Sequence, residues 1–264
     1  VSIIALSPKI PYALTGFITQ FAGDDITEST VVEAYFDDTP YKILEIRPID
    51  YSPSDGDAIF VSFNQSRTLL NRTSTFNRTN LFHDYKQAGN FGGGITQVTY
   101  GITEITADQP VAGNVVNLEF EFNEQLIETG LDVTMPDPII VSEPAYQQLY
   151  KAGENLSVSW GIIAEQPVKA VLYSIKCIDG SANMLSKTTE LIRLEEDIGT
   201  NSIAINTLRD KLYAPAVPAD HICDLSIGLR REVIGQKGAE GEKFTQYSSF
   251  VANLIHTRKV LLQY

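Results

Sequence analysis

The residues able to do chemistry are scattered through this 264-residue chain. Its three histidines, His83, His221 and His256, stand far apart in sequence, whereas zinc sites usually cluster their ligands. Surface or strand-end histidines are therefore expected, and no metal. Carboxylates pair at Asp24-Asp25, Asp37-Asp38, Asp55-Gly56-Asp57 and Glu195-Glu196-Asp197. Calcium needs several oxygen ligands, and the SPSDGDA turn could supply some to a structural ion. No run has EF-hand or nonapeptide-repeat spacing, so solvated turns are the expected role of these pairs. Two carboxylates for glycoside hydrolysis cannot be picked out, because sequence does not fix their separation. There is no G-x-S-x-G elbow to raise a nucleophilic serine. Gly92-Gly93-Gly94 is followed by a strand-like run and not by a GK[ST] helix start, so a hairpin turn is expected and not a phosphate loop. No catalytic residue and no cofactor is assigned, and the chain is not expected to be an enzyme.

One segment is unusual. Asn64 to Asn90 carries Arg67, Arg72, Arg78 and Lys86 against Asp84 alone, a basic island in a chain of net charge −13. With Tyr85 it makes a candidate contact surface for an acidic protein partner or a glycan; an irregular strand pair with solvent-facing arginines is the plainer reading. Asn64, Asn71, Asn77 and Asn155 each open an N-x-Ser/Thr sequon, which in a secreted eukaryotic protein marks a surface acceptor of N-linked glycosylation and in a bacterial one is a coincidence of a Ser/Thr/Asn-rich region.

The overall charge argues against nucleic acid, whose phosphates call for concentrated Lys and Arg. No stretch approaches the roughly eighteen apolar residues of a membrane-spanning helix. The chain starts at Val1, for which removal of a secretory leader is the expected reason and an engineered start the alternative. Cys177 and Cys223 lie inside strand-like runs. If those strands are neighbours the two form a disulfide and the compartment is oxidising; otherwise they are buried thiols.

The elements that must position these residues are strands. Apolar residues alternate with polar ones, as in Val31-Val32-Glu33-Ala34-Tyr35-Phe36, Ala58-Ile59-Phe60-Val61-Ser62-Phe63 and Val116-Asn117-Leu118-Glu119-Phe120. Gly, Pro, Asp and Ser clusters separate the runs, so the chain reads as all-β, with short helical candidates at Leu208 to Tyr213 and within Asn80 to Ala88. Pro136 and Pro138 favour an extended linker, and composition changes there: ten of the twelve Phe precede it, both Cys and the one Trp follow it. The expected division is two tandem immunoglobulin-like β-sandwich domains, 1–136, with the basic loop 64–90, and 137–264. In the second, strands are expected at Leu156–Ile162, Val168–Ile178, Thr188–Leu194, Ser202–Ile205, Ile222–Ile234 and Phe244–Ile255, with a last run near Lys259–Gln263.

The stretch IVSEPAYQQLYKAGENLSVSW resembles the opening of the Kre9/Knh1-like and related sandwich domains of secreted surface proteins. Pro144, the Ala152-Gly153 turn, Leu156, Val158 and Trp160 match; Gln147-Gln148 stands where such domains carry a Gly. The resemblance covers about the last half of the chain and implies a fold more than an activity. The expected function is a secreted or cell-envelope structural or adhesive protein acting through protein or surface contacts, including self-assembly in an extracellular structure. A carbohydrate-binding module using Tyr12, Tyr35, Tyr41, Tyr51, Tyr85 and Tyr100 is the first alternative, an all-β hydrolase the second. The apolar opening VSIIALSPKIPYAL suits either a first strand of its own domain or strand addition to a neighbouring subunit.

Overall fold

A computed structural model describes residues 14–36, 58–71, 99–105, 107–122, 125–178, 184–212, 217, 221–237 and 249–263. Along the chain the strands are β1 (Leu14–Gly23), β2 (Ser29–Phe36), β3 (Ala58–Phe63), β4 (Ser66–Leu69), β5 (Thr99–Ile105), β6 (Val115–Phe122) and β7 (Gln125–Thr134). After the proline linker come β8 (Val141–Glu143), β9 (Leu149–Tyr150), β10 (Asn155–Trp160), β11 (Val168–Ile178), β12 (Met184–Arg193) and β13 (Thr200–Ala204). The helix α1 (Ile205–Lys211) follows directly, then β14 (Ile222–Ile234), β15 (Gln236–Lys237) and β16 (Ser249–Gln263). The fold is all-β with a single helix among the described residues.

Period-two alternation builds these strands. In β10, Leu156, Val158 and Trp160 are buried while Asn155, Ser157 and Ser159 face outward. In β3, Ile59, Val61 and Phe63 are buried in the same way. The helix buries Ile205 and Leu208, and begins three residues before the position the sequence suggested because it grows straight out of β13.

Three sheets result. The large one has the order β12-β11-β14-β16-β1-β2-β5, with β9 also beside β16. The smaller two are β13-β10-β8 and β15-β7-β6-β3-β4. Every pairing in the large sheet is antiparallel except β1–β16 and β9–β16, which are parallel. β1 runs beside β16 from Thr15↔Ser249 to Gly23↔Thr257, and β9 takes over at Leu261↔Leu149. The first described strand thus joins a sheet whose other central members lie more than two hundred residues later.

The small sheets pack on one face of the large sheet, each over its own core. One core gathers Leu156, Val158, Trp160, Val171, Tyr173, Ile175, Leu225, Ile227, Leu254 and Val260. The other gathers Ile18, Val32, Ile59, Val61, Leu118, Leu131, Val133, Phe250 and Ala252. On β16 the residues of both cores are even-numbered, Phe250 and Ala252 in one and Leu254, Val260 and Leu262 in the other, so a single strand face serves both. The core of Ile139, Leu156 and Trp160 draws its buried residues from after Pro136, whereas the other core combines residues before Pro136 with Phe250 and Ala252 of β16, and the large sheet continues through both.

Cys177 and Cys223 are joined in a disulfide, Cα–Cα 4.5 Å. The bond links neighbouring strands of one sheet, next to the Lys176↔Asp224 pair of β11 and β14, whereas in antibody domains the bridge spans two sheets. The linker around Pro136 and Pro138 holds no strand, as two prolines require. It is held by Arg231 of β14, which is fully buried and donates from Nη1 to the carbonyls of Asp137 (2.8 Å) and Pro138 (3.0 Å) and from Nη2 to that of Gly161 (3.3 Å). Gly235 then turns the chain from the large sheet into β15. A Cβ there would collide with the Asp132 carbonyl oxygen and lie 2.9 Å from that of Phe250, so only glycine fits between the two sheets. No helix among the described residues is long and apolar enough to cross a membrane.

Candidate functional site

Polar side chains converge where β1 ends, β9 begins and both meet β16. Three backbone bonds fix the junction: Asp24 N–H to Thr257 O (2.8 Å), Gln147 N–H to Lys259 O (2.9 Å) and Leu261 N–H to Gln148 O (2.9 Å). Asp25 and Gln147 both adopt left-handed backbone conformations, φ 55° and 58°. Lys259 reaches Asp25 Oδ2 and Asp224 Oδ2, each at 3.1 Å, while Arg258 Nε lies 3.4 Å from Asp24 Oδ2. The Tyr146 phenol donates to Asp25, its oxygen 2.9 and 2.8 Å from Oδ1 and Oδ2, and accepts from Gln147 Nε2 at 3.1 Å.

The charges follow from these contacts. The Tyr146 hydrogen bond and then Lys259 hold the Asp25 carboxyl below its ordinary range, and the same bond to Asp25 pushes the Tyr146 phenol up. Lys259 is raised, chiefly by its hydrogen bond to Asp224. Tyr146 therefore stays a protonated donor at neutral pH, with its exposed ring clamped in place. The cluster places an exposed aromatic ring beside paired charges. Nearby on β16, burial and then Arg258 push His256 below its ordinary value, with Asp24 opposing.

A second polar hub forms behind Trp160, which is 5% exposed. Asp197 Oδ1 accepts from Trp160 Nε1 (2.8 Å) and Gly199 N–H (3.0 Å), and Oδ2 accepts from Val168 N–H (2.7 Å). One carboxylate thereby ties the end of β10 to the start of β11 and the loop before β13.

Of the basic island, Arg67 lies in β4. It pairs with Glu119 (Nε–Oε2 2.7 Å) and stacks on Phe60, its Cζ 3.5 Å from the ring centroid. Glu119 Oε1 also accepts from Ser62 (2.5 Å), so Arg67 is part of a cross-strand triad over β3 and β6. Asn64 and Gln65 form the two-residue turn of the β3–β4 hairpin, and the segment thus opens as ordered sheet. Arg72, Arg78, Tyr85, Lys86 and Asn77 lie outside the described residues, as do His83, Gly92 to Gly94 and the SPSDGD part of the calcium-like turn. The same holds for the side chains of Tyr12, Tyr35, Tyr41, Tyr51, Tyr85 and Tyr100. Asn64, Asn71 and Asn155 are exposed. His221 sits at the start of β14 with Nε2 2.8 Å from Ile178 O. No group of three or more His, Cys, Asp or Glu side chains among the described residues is placed to hold a metal ion.

Sequence reasoning did not find the Tyr146–Asp25–Lys259 junction. Asp24 and Lys259, which bond across it, are 235 residues apart, and the only local signal was the Asp24-Asp25 pair. Comparison with protein-family models and with curated proteins gave no match to the chain.

Proposed function

We propose that this chain is a secreted or cell-envelope structural, adhesive protein, a subunit of an extracellular assembly working through protein–protein or surface contacts. The observation that carries the reading is an apolar surface at the end of β10. Ile140, Ile162 and Ile198 are 75%, 55% and 62% exposed. Their segments are bonded together: Gly161 N–H donates to Ile140 O, and Trp160 N–H to Gly199 O. The Ile162 side chain fills the space a Cβ on Gly199 would take, and Gly199 follows Ile198 in the chain. Three exposed isoleucines on three joined segments are the kind of apolar cluster that marks contact surfaces. Two further features support the reading. The Cys177–Cys223 bond fits an oxidising compartment. The buried alternation of Leu156, Val158 and Trp160 after a Gly153 turn (φ 86°) fits a Kre9/Knh1-like, immunoglobulin-like sandwich in the second half.

The test is the particle mass and surface attachment of the native protein beside an Ile140→Asp/Ile162→Asp/Ile198→Asp variant. Light scattering should find assembled species in the parent and their loss in the variant, with thermal unfolding unchanged. A parent that neither assembles nor attaches, or a variant that does both equally well, refutes the reading.

A further inference from the structure

We propose that Asn155 carries an N-linked glycan that covers the outer face of the sheet β13-β10-β8. The inference rests on the secreted reading above and deepens it by assigning one modification site among the sequons. Asn155 is exposed at the first position of β10, just after the Ala152-Gly153-Glu154 turn. Asn155 and Ser157, the two sequon residues that take part in glycosyl transfer, lie on the same outward face, while Leu156 between them is fully buried in the core. A substituent on the Asn155 amide therefore leaves the packing of the strand untouched.

The surroundings have room for a sugar. Asn155 faces Ala204 across the β10–β13 pair, and Ser157 faces Ser202, their hydroxyl oxygens 3.3 Å apart. Ser159 and Thr200 make the next pair. All these outward side chains are small, so the face beside Asn155 is low and flat. The sheet is also a poorly guarded one: β8 and β13 are its outermost strands, and outermost strands expose backbone groups able to pair with another chain. A hydrated oligosaccharide rooted at Asn155 shields both the face and the adjoining β13 edge.

The other described sequons are less suited. Asn64 Nδ2 donates to Asn114 Oδ1 (3.0 Å), which also accepts from Val111 N–H (2.9 Å), so the amide a glycan would occupy already ties the β3–β4 hairpin to its neighbouring turn. Asn71 is exposed, but the rest of its sequon lies outside the described residues.

The chemistry balances with an isoprenoid-diphosphate-linked oligosaccharide as donor. The Asn155 Nδ2 to sugar C1 bond forms as the C1–O bond to the diphosphate breaks. One Nδ2 proton leaves to the transferase base, and the isoprenoid diphosphate departs with the bonding pair.

The test is a tryptic digest of the protein from its natural source, without reduction. Peptide 152–169 contains Asn155 as its only asparagine. Treatment with a peptide N-glycanase in heavy-oxygen water should convert most of it to the Asp form carrying the heavy label. The same digest reports whether peptides 177–187 and 212–230 are linked through Cys177 and Cys223. Linked cysteines with an unlabelled Asn155 peptide overturn the glycan and leave the extracellular reading standing. Free cysteines with an unlabelled peptide overturn both. In a secreting eukaryotic host, Ser157→Ala should lower the label to background while Ser157→Thr retains it; label persisting in Ser157→Ala also overturns the assignment.

Discussion

Asp197 shows how far a single side chain can act. Its carboxylate accepts three hydrogen bonds, from the Trp160 indole and from the Val168 and Gly199 amides. Removing it strands three donors around the buried face of the first core. Asp197→Ala should therefore destabilise by about 3 kcal/mol, read from the urea midpoint; a change within the noise of surface substitutions would show that water replaces the carboxylate without cost. From sequence Asp197 belongs to a solvated acidic run with Glu195 and Glu196. Two of its three partners, Val168 and Trp160, are 29 and 37 residues away, a distance over which local pattern carries no information. His256 supplies a pH dependence whose sign is fixed. Burial, then Arg258, lowers it below the ordinary 6.5. As pH falls through 6.5 toward the folded value, the unfolded chain binds the proton first, so stability falls over that window and levels off below it. Urea midpoints at about pH 7.5 and pH 5.5 should differ less in His256→Gln than in the parent; an equal difference would assign the acid sensitivity to other groups.

At the scale of elements, the disulfide is the strongest local constraint. It closes a separation of 46 residues between adjacent strands, which the chain-entropy model values at about 4 kcal/mol. Cys177→Ser/Cys223→Ser should lose a large part of that in equilibrium unfolding, and reduction of the parent should lose the same amount. A double variant as stable as the oxidised parent would mean that native strain cancels the entropic gain. The strands this bond joins were also the most legible ones. β11 and β14 begin and end where the alternation of Val168–Ile178 and Ile222–Ile234 says they should. β16 was read as two runs, Phe244–Ile255 and one near Lys259–Gln263, with His256-Thr257-Arg258 between them. Those residues stay in one fifteen-residue strand because β14 pairs with it throughout, while β1 hands over to β9 on the other side at that very point. The polar break records a change of neighbour. Likewise Arg67 sits in a polar stretch that reads as loop, yet Asn64-Gln65 supply a hairpin turn and Glu119 supplies the cross-strand partner.

For the whole molecule, the pairing of β1 with β16 was the feature sequence could not give. Both strands have ordinary alternation, but nothing local says that a strand near the start lies beside one near the end, or that the two run in parallel. That arrangement bears on how the protein would behave under load. Tension applied upstream of Leu14 and downstream of Gln263 draws β1 and β16 in opposite directions along their common axis. The register from Thr15↔Ser249 to Gly23↔Thr257 is then sheared, so its hydrogen bonds resist together instead of opening one after another. Handles placed upstream of Leu14 and at Ser249 would instead pull from one end of the pair and peel it like a zipper. Single-molecule stretching should find a markedly higher rupture force in the first geometry than in the second, and equal forces would mean that another interface yields first. In an assembly strung through these two ends, the β1–β16 seam would be the mechanical clamp.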